Sequence, residues 1–477
     1  MTERLKIVIP CDAFAPDING AARFAERLAG GLVRHGHAVH VIAPSFDKSF
    51  GSRTETHDGV EMTVHRLKSY KLPQHKTLRF PTPFGMTRVI RKVLTEVQPD
   101  AVHIQSHLVV GRFALRAAKR LDAKLLATNH IMPENLIKYS LLPKFLHKFA
   151  MDIVWKDAGR ILRRLDAVTT PTRRAAELLE ARAKVSNVLA ISCGIDASRF
   201  ANQTPTQNEH PVALFLGRLD DEKRINVLLE AVAKLTDIPA LQVQLVGDGG
   251  ERPALEELAT KLGIRERVKF LGHVTDDELP GIYEGCSVFV MPSIAELQSI
   301  ATMEAMASGR PVIGADAMAL PHLVHNGDNG YLFEPNNASD LAAKLRLVLK
   351  ADKQELARLS ENSLHLIQSH DIERTLRIFE DLYSGEGEES PTTADNEPSY
   401  LIPIGRLSES VRERLLEWRE DAMRIRERAE SLREEALGRF GDARERLDGV
   451  RAEVREQLSE IRSEVTEAAK RLRKKKD

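Results

Sequence analysis

Up to about residue 383, short apolar runs rich in β-branched residues alternate with amphipathic stretches of about 10–18 residues. That alternation confines the chain to parallel, doubly wound α/β sheets. It occurs twice. The first series predicts strands at 5–10, 38–43, 101–104, 124–128 and 167–170, and the second at 212–216, 243–246, 268–271, 288–291 and 312–314. A polar, Pro-containing break at 202–210 separates them, which favours two Rossmann-like domains over one large sheet. The expected division is 1–200 and 201–383, with the last helix of the second domain packing back on the first.

Two further segments follow. Residues 384–405 are acidic and rich in Gly, Ser, Thr and Pro, the composition of a linker. Residues 406–477 are highly charged, with no Pro and three Gly. Their apolar residues recur from Val411 to Leu472 with a mean spacing near 3.6, so a long amphipathic helix is expected, kinked near Gly438 and Gly441. A membrane surface, a partner helix or another copy of the chain would cover its apolar stripe; a solvated single helix is the plainer alternative. The terminal run Arg471 to Lys476 favours anionic lipid, although acidic residues nearly match basic ones along most of the helix.

Composition excludes several function classes. Basic and acidic residues number 69 each, which removes bulk charge as a driver of nucleic-acid binding. Cys11, Cys193 and Cys286 are too far apart for a disulfide framework or a zinc site. No apolar run approaches the roughly 18 residues that span a bilayer, and the run at 5–10 is too short for the apolar core of a signal peptide. The expected location is the cytoplasm, with peripheral contact on the inner face of the cell membrane.

Four motifs lie at strand ends, where sheets of this class bind ligands. Ala15 to Ala22 follows the first strand and precedes a helix; Gly20 lets backbone approach an anion at the helix N-terminus, or simply turns the chain. Gly217-Arg218-Leu219-Asp220-Asp221-Glu222-Lys223 places an Arg fork and a Lys five residues apart, able to clamp a diphosphate or to form a solvated charged loop. Val246-Gly247-Asp248-Gly249-Gly250 reads as a tight turn, whether or not it faces a ligand. The most specific is the stretch from Pro292 to Ala307. There Glu296, at a strand end, precedes Glu304, on an amphipathic helix, by eight residues, about two turns. The helix N-terminus between them points N–H groups at a phosphate, while the carboxylates accept hydroxyl hydrogen bonds.

On these residues, from about 5 to 383, the chain resembles the retaining family-four glycosyltransferases of the GT-B fold. Glu296 and Glu304 match the family's E-x7-E motif, and Gly217, Arg218 and Lys223 its G-R-x-x-x-x-K motif. The resemblance implies that Glu296 holds donor sugar hydroxyls and Glu304 the ribose. It implies that Arg218 and Lys223 neutralise the leaving diphosphate, and that Gly20 belongs to the glycine-rich first loop. His130, at the end of Leu125-Leu126-Ala127-Thr128-Asn129-His130, fits the histidine facing the sugar; alone it is equally a hydrogen-bonded structural His. The donor-binding set then comprises Gly20, Gly217, Gly247, Gln298, Ser299, Ile300 and Glu304. Ser299 stands where relatives usually carry Gly, the 317–322 loop lacks a Gly pair and carries His322 where Glu is common, and Gln298 resembles some bacterial membrane-lipid glucosyltransferases.

The implied reaction is metal-independent transfer of a hexose, glucose or mannose, from a UDP-sugar or GDP-mannose, with no cofactor. No Asp-x-Asp metal motif occurs, and Arg218, Lys223 and a helix N-terminus supply positive potential where charge develops on the leaving diphosphate. Residues 132–156 mix Leu136, Ile137, Leu141, Leu142, Phe145, Leu146 and Phe149 with Lys138, Lys144, Lys148 and Lys156. Such a cationic amphipathic segment suits a membrane interface or, more plainly, a packed helix with a wet lysine face. With the tail, it points to a lipid or glycolipid acceptor; a soluble or polysaccharide acceptor, and a non-catalytic scaffold acting through the tail, are the alternatives.

Overall fold

The computed structural model describes residues 4–17, 19–47, 49–71, 79–82, 85–132, 147–200 and 210–385. Among them the first domain contains β1 (Lys6–Pro10), β2 (Ala38–Pro44), β3 (Gly51–His57), β4 (Val60–Leu67), β5 (Ser69–Lys71), β6 (Arg79–Pro81), β7 (Ala101–Ile104), β8 (Lys124–Thr128), β9 (Ala167–Thr170) and β10 (Leu189–Ala190). Its helices are α1 (Gly20–Arg34), α2 (Met86–Val97), α3 (Val110–Ala118), α4 (His147–Leu162) and α5 (Arg173–Ala183). The second domain contributes β11 (Val212–Leu216), β12 (Gln242–Val246), β13 (Val268–Gly272), β14 (Val288–Met291), β15 (Val312–Ala315) and β16 (Gly330–Phe333). Its helices are α6 (Ile225–Ala233), α7 (Arg252–Lys261), α8 (Leu279–Glu284), α9 (Ile300–Ala307), α10 (Leu320–Leu323), α11 (Ala338–Leu349) and α12 (Lys353–Ile367), and α13 (Ile372–Ser384) follows.

The two sheets run β10-β9-β8-β7-β1-β2-β4-β3 and β13-β12-β11-β14-β15-β16. All pairings in the second are parallel. Its inner strands are buried on both faces, which is why runs such as Val288–Met291 read as unbroken apolar sequence. Strand order reverses between β1 and β7 in one sheet and between β11 and β14 in the other. Those are the switch points at which such sheets open a ligand crevice.

Helix starts are written locally: Asn19, Thr172, Ser299 and Asn337 each cap a helix by accepting a backbone N–H. The β3–β4 hairpin was not among the expected strands, because Gly51–His57 is polar and largely exposed and carries no apolar run. It extends the first sheet antiparallel beyond β4, itself parallel to β2.

Helix α13 packs on the first domain. Ile372, Leu376, Phe379 and Tyr383 share a core with Phe24, Leu28 and Leu32 of α1. The approach is close: a Cβ at Gly31 would lie 2.5 Å from Leu376 Cδ1. Tyr383 and Thr128 hydroxyls satisfy both ring nitrogens of buried His103, each at 2.7 Å. The chain therefore crosses between domains twice, and the crossings are bonded to each other. Ile195 N donates to His370 O at 2.8 Å, and Ile372 N to Ile195 O at 3.1 Å. The expected tail helix, the linker at 386–405, the break at 201–209 and the amphipathic stretch 133–146 lie outside the described residues.

Candidate active site

The helices that follow the two switch points meet at their first residues. Gly20 opens α1 and Ile300 opens α9, and a Cβ at Gly20 would lie 3.8 Å from Ile300 Cδ1. From the same face of α1, Arg23 and Arg27 reach the second domain. Arg23 Nη2 pairs with Asp276 Oδ1 at 2.7 Å, and Arg27 Nη2 with Glu304 Oε1 at 2.9 Å. The Tyr283 hydroxyl donates to Glu304 Oε2 at 3.0 Å. Glu304 is thus buried between an Arg of one domain and a Tyr of its own, with carboxylate lone pairs to spare for a further donor. Burial, the largest single cause, lowers the affinity of Arg27 for its proton, but the charge and hydrogen bond of Glu304, with the charges of Asp276 and Asp58, together turn the net shift upward. Burial, then Glu304, push the Tyr283 phenol well above its usual range, so it stays a donor.

Lys223 and Glu296 form a direct ion pair, both side chains mostly buried. The loops that carry them are stitched together: Ile294 N donates to Glu222 O at 3.2 Å, and Ser293 Oγ to the same oxygen at 3.4 Å. Arg218, on the first of these loops, is engaged by Asp220 and by Glu222 and is 40% exposed at its side chain.

Gly247 has a structural reason to be glycine. Its φ is +123°, and a Cβ there would lie 2.0 Å from Gly217 O. Leu219 N donates to Asp248 O at 3.1 Å, closing the two loops on each other.

His130 ends the β8 loop. Its Nε2 lies 3.3 Å from Gln105 Oε1 and its ring centroid 4.8 Å from that of Phe24, one turn beyond Gly20 on α1. Desolvation holds its pKa down at about 3, so the imidazole is neutral near pH 7.

The expected residues divide into groups. Lys223 with Glu296, and Gly20 with Ile300, are in direct juxtaposition, with Glu304 one turn further along α9. Gln298 faces the interdomain crossing: its Oε1 accepts Cys193 N at 2.7 Å and its Nε2 donates to Ser192 Oγ at 2.9 Å. Ser299 caps α9, its Oγ accepting from Thr302 N at 3.3 Å. Sequence reasoning missed Arg23, Arg27 and Tyr283. The i, i+4 spacing of the two arginines just after Gly20 was the available signal.

Two family models cover most of the described chain: Glycosyltransferase Family 4 over residues 18–199, and Glycosyl transferases group 1 over residues 196–365. The chain belongs to the family-four glycosyltransferases of the GT-B fold. As such it is a hexosyltransferase. A GDP-mannose-dependent alpha-mannosyltransferase of Mycolicibacterium smegmatis is 29% identical over 69% of this chain and 84% of its own length. An alpha-monoglucosyldiacylglycerol synthase of Acholeplasma laidlawii is 25% identical over 75% of this chain and 92% of its own. Among solved structures, sucrose-phosphate synthase from Thermosynechococcus elongatus superposes with a TM-score of 0.66 at 20% identity, covering 80% of this chain and 99% of that one, a likeness of fold. Among the described residues the hexosyltransferase has no helix long and apolar enough to cross a membrane, and no group of three His, Cys, Asp or Glu placed to hold a metal.

Proposed function

We propose that this hexosyltransferase moves glucose or mannose, with retention at the anomeric carbon and without a metal, from a UDP-sugar or GDP-mannose to a lipid or glycolipid acceptor. The carrying observation is the ion pair between Lys223 and Glu296 at the β11–β14 switch point, with Glu304 further along α9. A lysine held at that strand end is positioned to meet the diphosphate as its charge grows, and a donor arriving there exchanges the Lys223–Glu296 contact for phosphate and sugar contacts. Arg218 supports the same loop and adds a second cation. Neutral His130 suits a hydrogen-bonding partner for the sugar. Glu304 takes the ribose hydroxyls on its remaining lone pairs. Gly20 and Ile300 bound the slot through which the diphosphate reaches backbone N–H groups at the start of α9.

The lipid acceptor is supported by the diacylglycerol-based product in the name of one relative and by the cationic, partly apolar character of α4. Peripheral contact with the inner face of a membrane follows from that acceptor. The division into an acceptor domain, 1–200, and a donor domain, 201–383, belongs to the same proposal.

A donor panel tests the reading: purified full-length chain is incubated with UDP-glucose and GDP-mannose, with and without detergent-dispersed diacylglycerol lipids, and nucleotide release is followed with and without EDTA. Acceptor-stimulated release from one donor, indifferent to EDTA, is expected. Failure of every donor, or strict dependence on added divalent metal, overturns it.

A further inference from the structure

The carboxyl edge of the first sheet carries a second opening, between the loop after β7 and helix α4. A cavity of about 400 Å³ is lined there by His107, Arg112, Ile153, Lys156, Asp157 and Arg160, among others. Three cations face a single carboxylate. Asp157 is paired with Arg112 and lies 3.6 Å from Arg160 Nη1, so the lining keeps an excess of positive charge.

His107 adds a different signal. It is 2% exposed, and neither ring nitrogen has a well-formed hydrogen bond; Asn129, whose Oδ1 likewise has none, lies beside it, and a weak hydrogen bond between the two side chains draws its pKa upward. Burial, reinforced by Arg112, still holds that pKa down at about 4, leaving a neutral ring with one N–H and one lone pair near pH 7. Buried donors without partners are rare in folded proteins, and a ligand that completes the bond explains one lining a cationic cavity. The contrast with His103, satisfied on both nitrogens in the same sheet, is direct.

The outer face of α4 continues the pattern. Phe149 is 65% exposed and Ile153 50%, one turn apart, and Lys156 and Arg160 follow on the next turns. Apolar surface therefore runs directly into the cationic cavity. A free anion would use only the second of these features; a molecule with acyl chains and an anionic head uses both.

We propose that this cavity receives the anionic headgroup, phosphate or carboxylate, of the membrane lipid that serves as acceptor. Arg112, Lys156 and Arg160 hold its charge, His107 donates from the floor, and Phe149 and Ile153 meet its acyl region. The inference rests on the lipid-acceptor reading and narrows it to acidic lipids. The cavity loop and the His130 loop leave adjacent strands β7 and β8, so a headgroup here lies beside the transfer site.

The test is calorimetric titration of the full chain with dioctanoyl phosphatidylglycerol, dioctanoyl phosphatidylcholine and sn-glycerol 1-phosphate. The acidic lipid is expected to bind at least tenfold more tightly than either of the others. The Lys156→Gln/Arg160→Gln double variant, on exposed positions, should lose at least tenfold for phosphatidylglycerol while UDP and GDP affinities stay as in wild type. His107→Phe should lose a similar factor and His107→Gln should recover most of it, with thermal unfolding followed in parallel. Equal affinity for the two lipids, or a double variant that binds phosphatidylglycerol like wild type, overturns the proposal. Binding of glycerol phosphate as tight as the lipid overturns the choice of a lipid over a free anion. Selective acidic-lipid binding in a chain that turns over neither UDP-glucose nor GDP-mannose leaves the cavity assignment standing and removes the proposed donor instead.

Discussion

Arg27 and Glu304 are 277 positions apart in the chain and 2.9 Å apart in space, so a salt bridge ties α1 of one domain to α9 of the other. Both side chains are largely buried, and Tyr283 takes the second carboxylate oxygen. Glu304 consequently has a structural duty as well as the ribose-binding one proposed for it.

Removing the carboxylate should separate these duties. Glu304→Ala strands Arg27 and Tyr283 in the interior, and breaking a buried pair costs about 3–5 kcal/mol. A clear fall in thermal midpoint is expected. Glu304→Gln keeps hydrogen bonds to both partners and should fold nearer to wild type, yet weaken nucleotide binding roughly tenfold through the poorer acceptor. Nucleotide affinity identical in wild type and Glu304→Gln, measured by calorimetry, would remove the ribose role.

Lys223 and Arg218 should not contribute equally. Lys223 lies against Glu296, whereas Arg218 is more exposed and engaged by Asp220 and Glu222 on its own loop. Lys223→Met is expected to lower kcat by about 10²–10³, the usual loss for one positioned cation or donor at developing charge, and Arg218→Ala by less. Initial rates at saturating donor check this; a Lys223→Met enzyme with wild-type turnover refutes the charge assignment.

Acid should destabilise the fold before most carboxylates titrate. His103, His130 and His370 are held at about 3 and His65 and His107 at about 4, burial being the largest cause in each; His40 and His322 are also lowered. Below pH about 6.5 the unfolded chain protonates these rings while the native chain does not, so stability falls as the pH falls towards their native values. His35 and His57 oppose this: burial lowers them, but Glu373 and Glu380, and Glu26 and Glu55, bring the net shift upward. Their contribution is complete below about pH 6.5 and fades as the pH rises through their native values. The lowered group is the larger, so the unfolding free energy from urea titration should be lower at pH 5 than at pH 7.5, by roughly 1.4 kcal/mol per pH unit for each extra proton the unfolded chain binds, and the urea midpoint should fall with it. An equal or higher midpoint at pH 5 contradicts it.

Two glycines should respond differently to alanine. At Gly247 a methyl meets Gly217 O at 2.0 Å on backbone with φ +123°, so Gly247→Ala should cost at least about 1–3 kcal/mol. At Gly20 the nearest atom is Ile300 Cδ1 at 3.8 Å, so Gly20→Ala should fold normally and lose donor affinity only if the diphosphate passes there. Chemical denaturation with donor titration on both variants distinguishes a structural from a ligand-facing glycine.

The inner strands were legible because they are buried on both faces and spell themselves as apolar runs; 101–104, 124–128, 167–170, 212–216 and 288–291 agree with the structure to the residue. The β3–β4 hairpin was not, since its outer strand is polar and its pairing depends on an edge that only the assembled sheet provides. At the site, the strand-end motifs identified the loops but not the partners of their side chains. Gln298 is an example: its position in the motif suggested a donor contact, whereas its amide is bonded to Ser192 and Cys193, about a hundred residues earlier. Arg27 was legible only in part: its spacing from Arg23 marks a shared helix face but not the Glu304 that meets it.

The place of α13 bears on how the protein is made. Phe24, Leu28 and Leu32 wait for Leu376, Phe379 and Tyr383, and His103 waits for the Tyr383 hydroxyl. On a ribosome, the amino-terminal half therefore emerges with part of its interior still unsynthesised, while the inserted half has its own core within reach. The second half is then able to close first, reversing the usual order in which the earliest-translated domain leads. A nascent chain arrested before residue 372 would hold an apolar groove along α1, the stage at which a chaperone has most to cover.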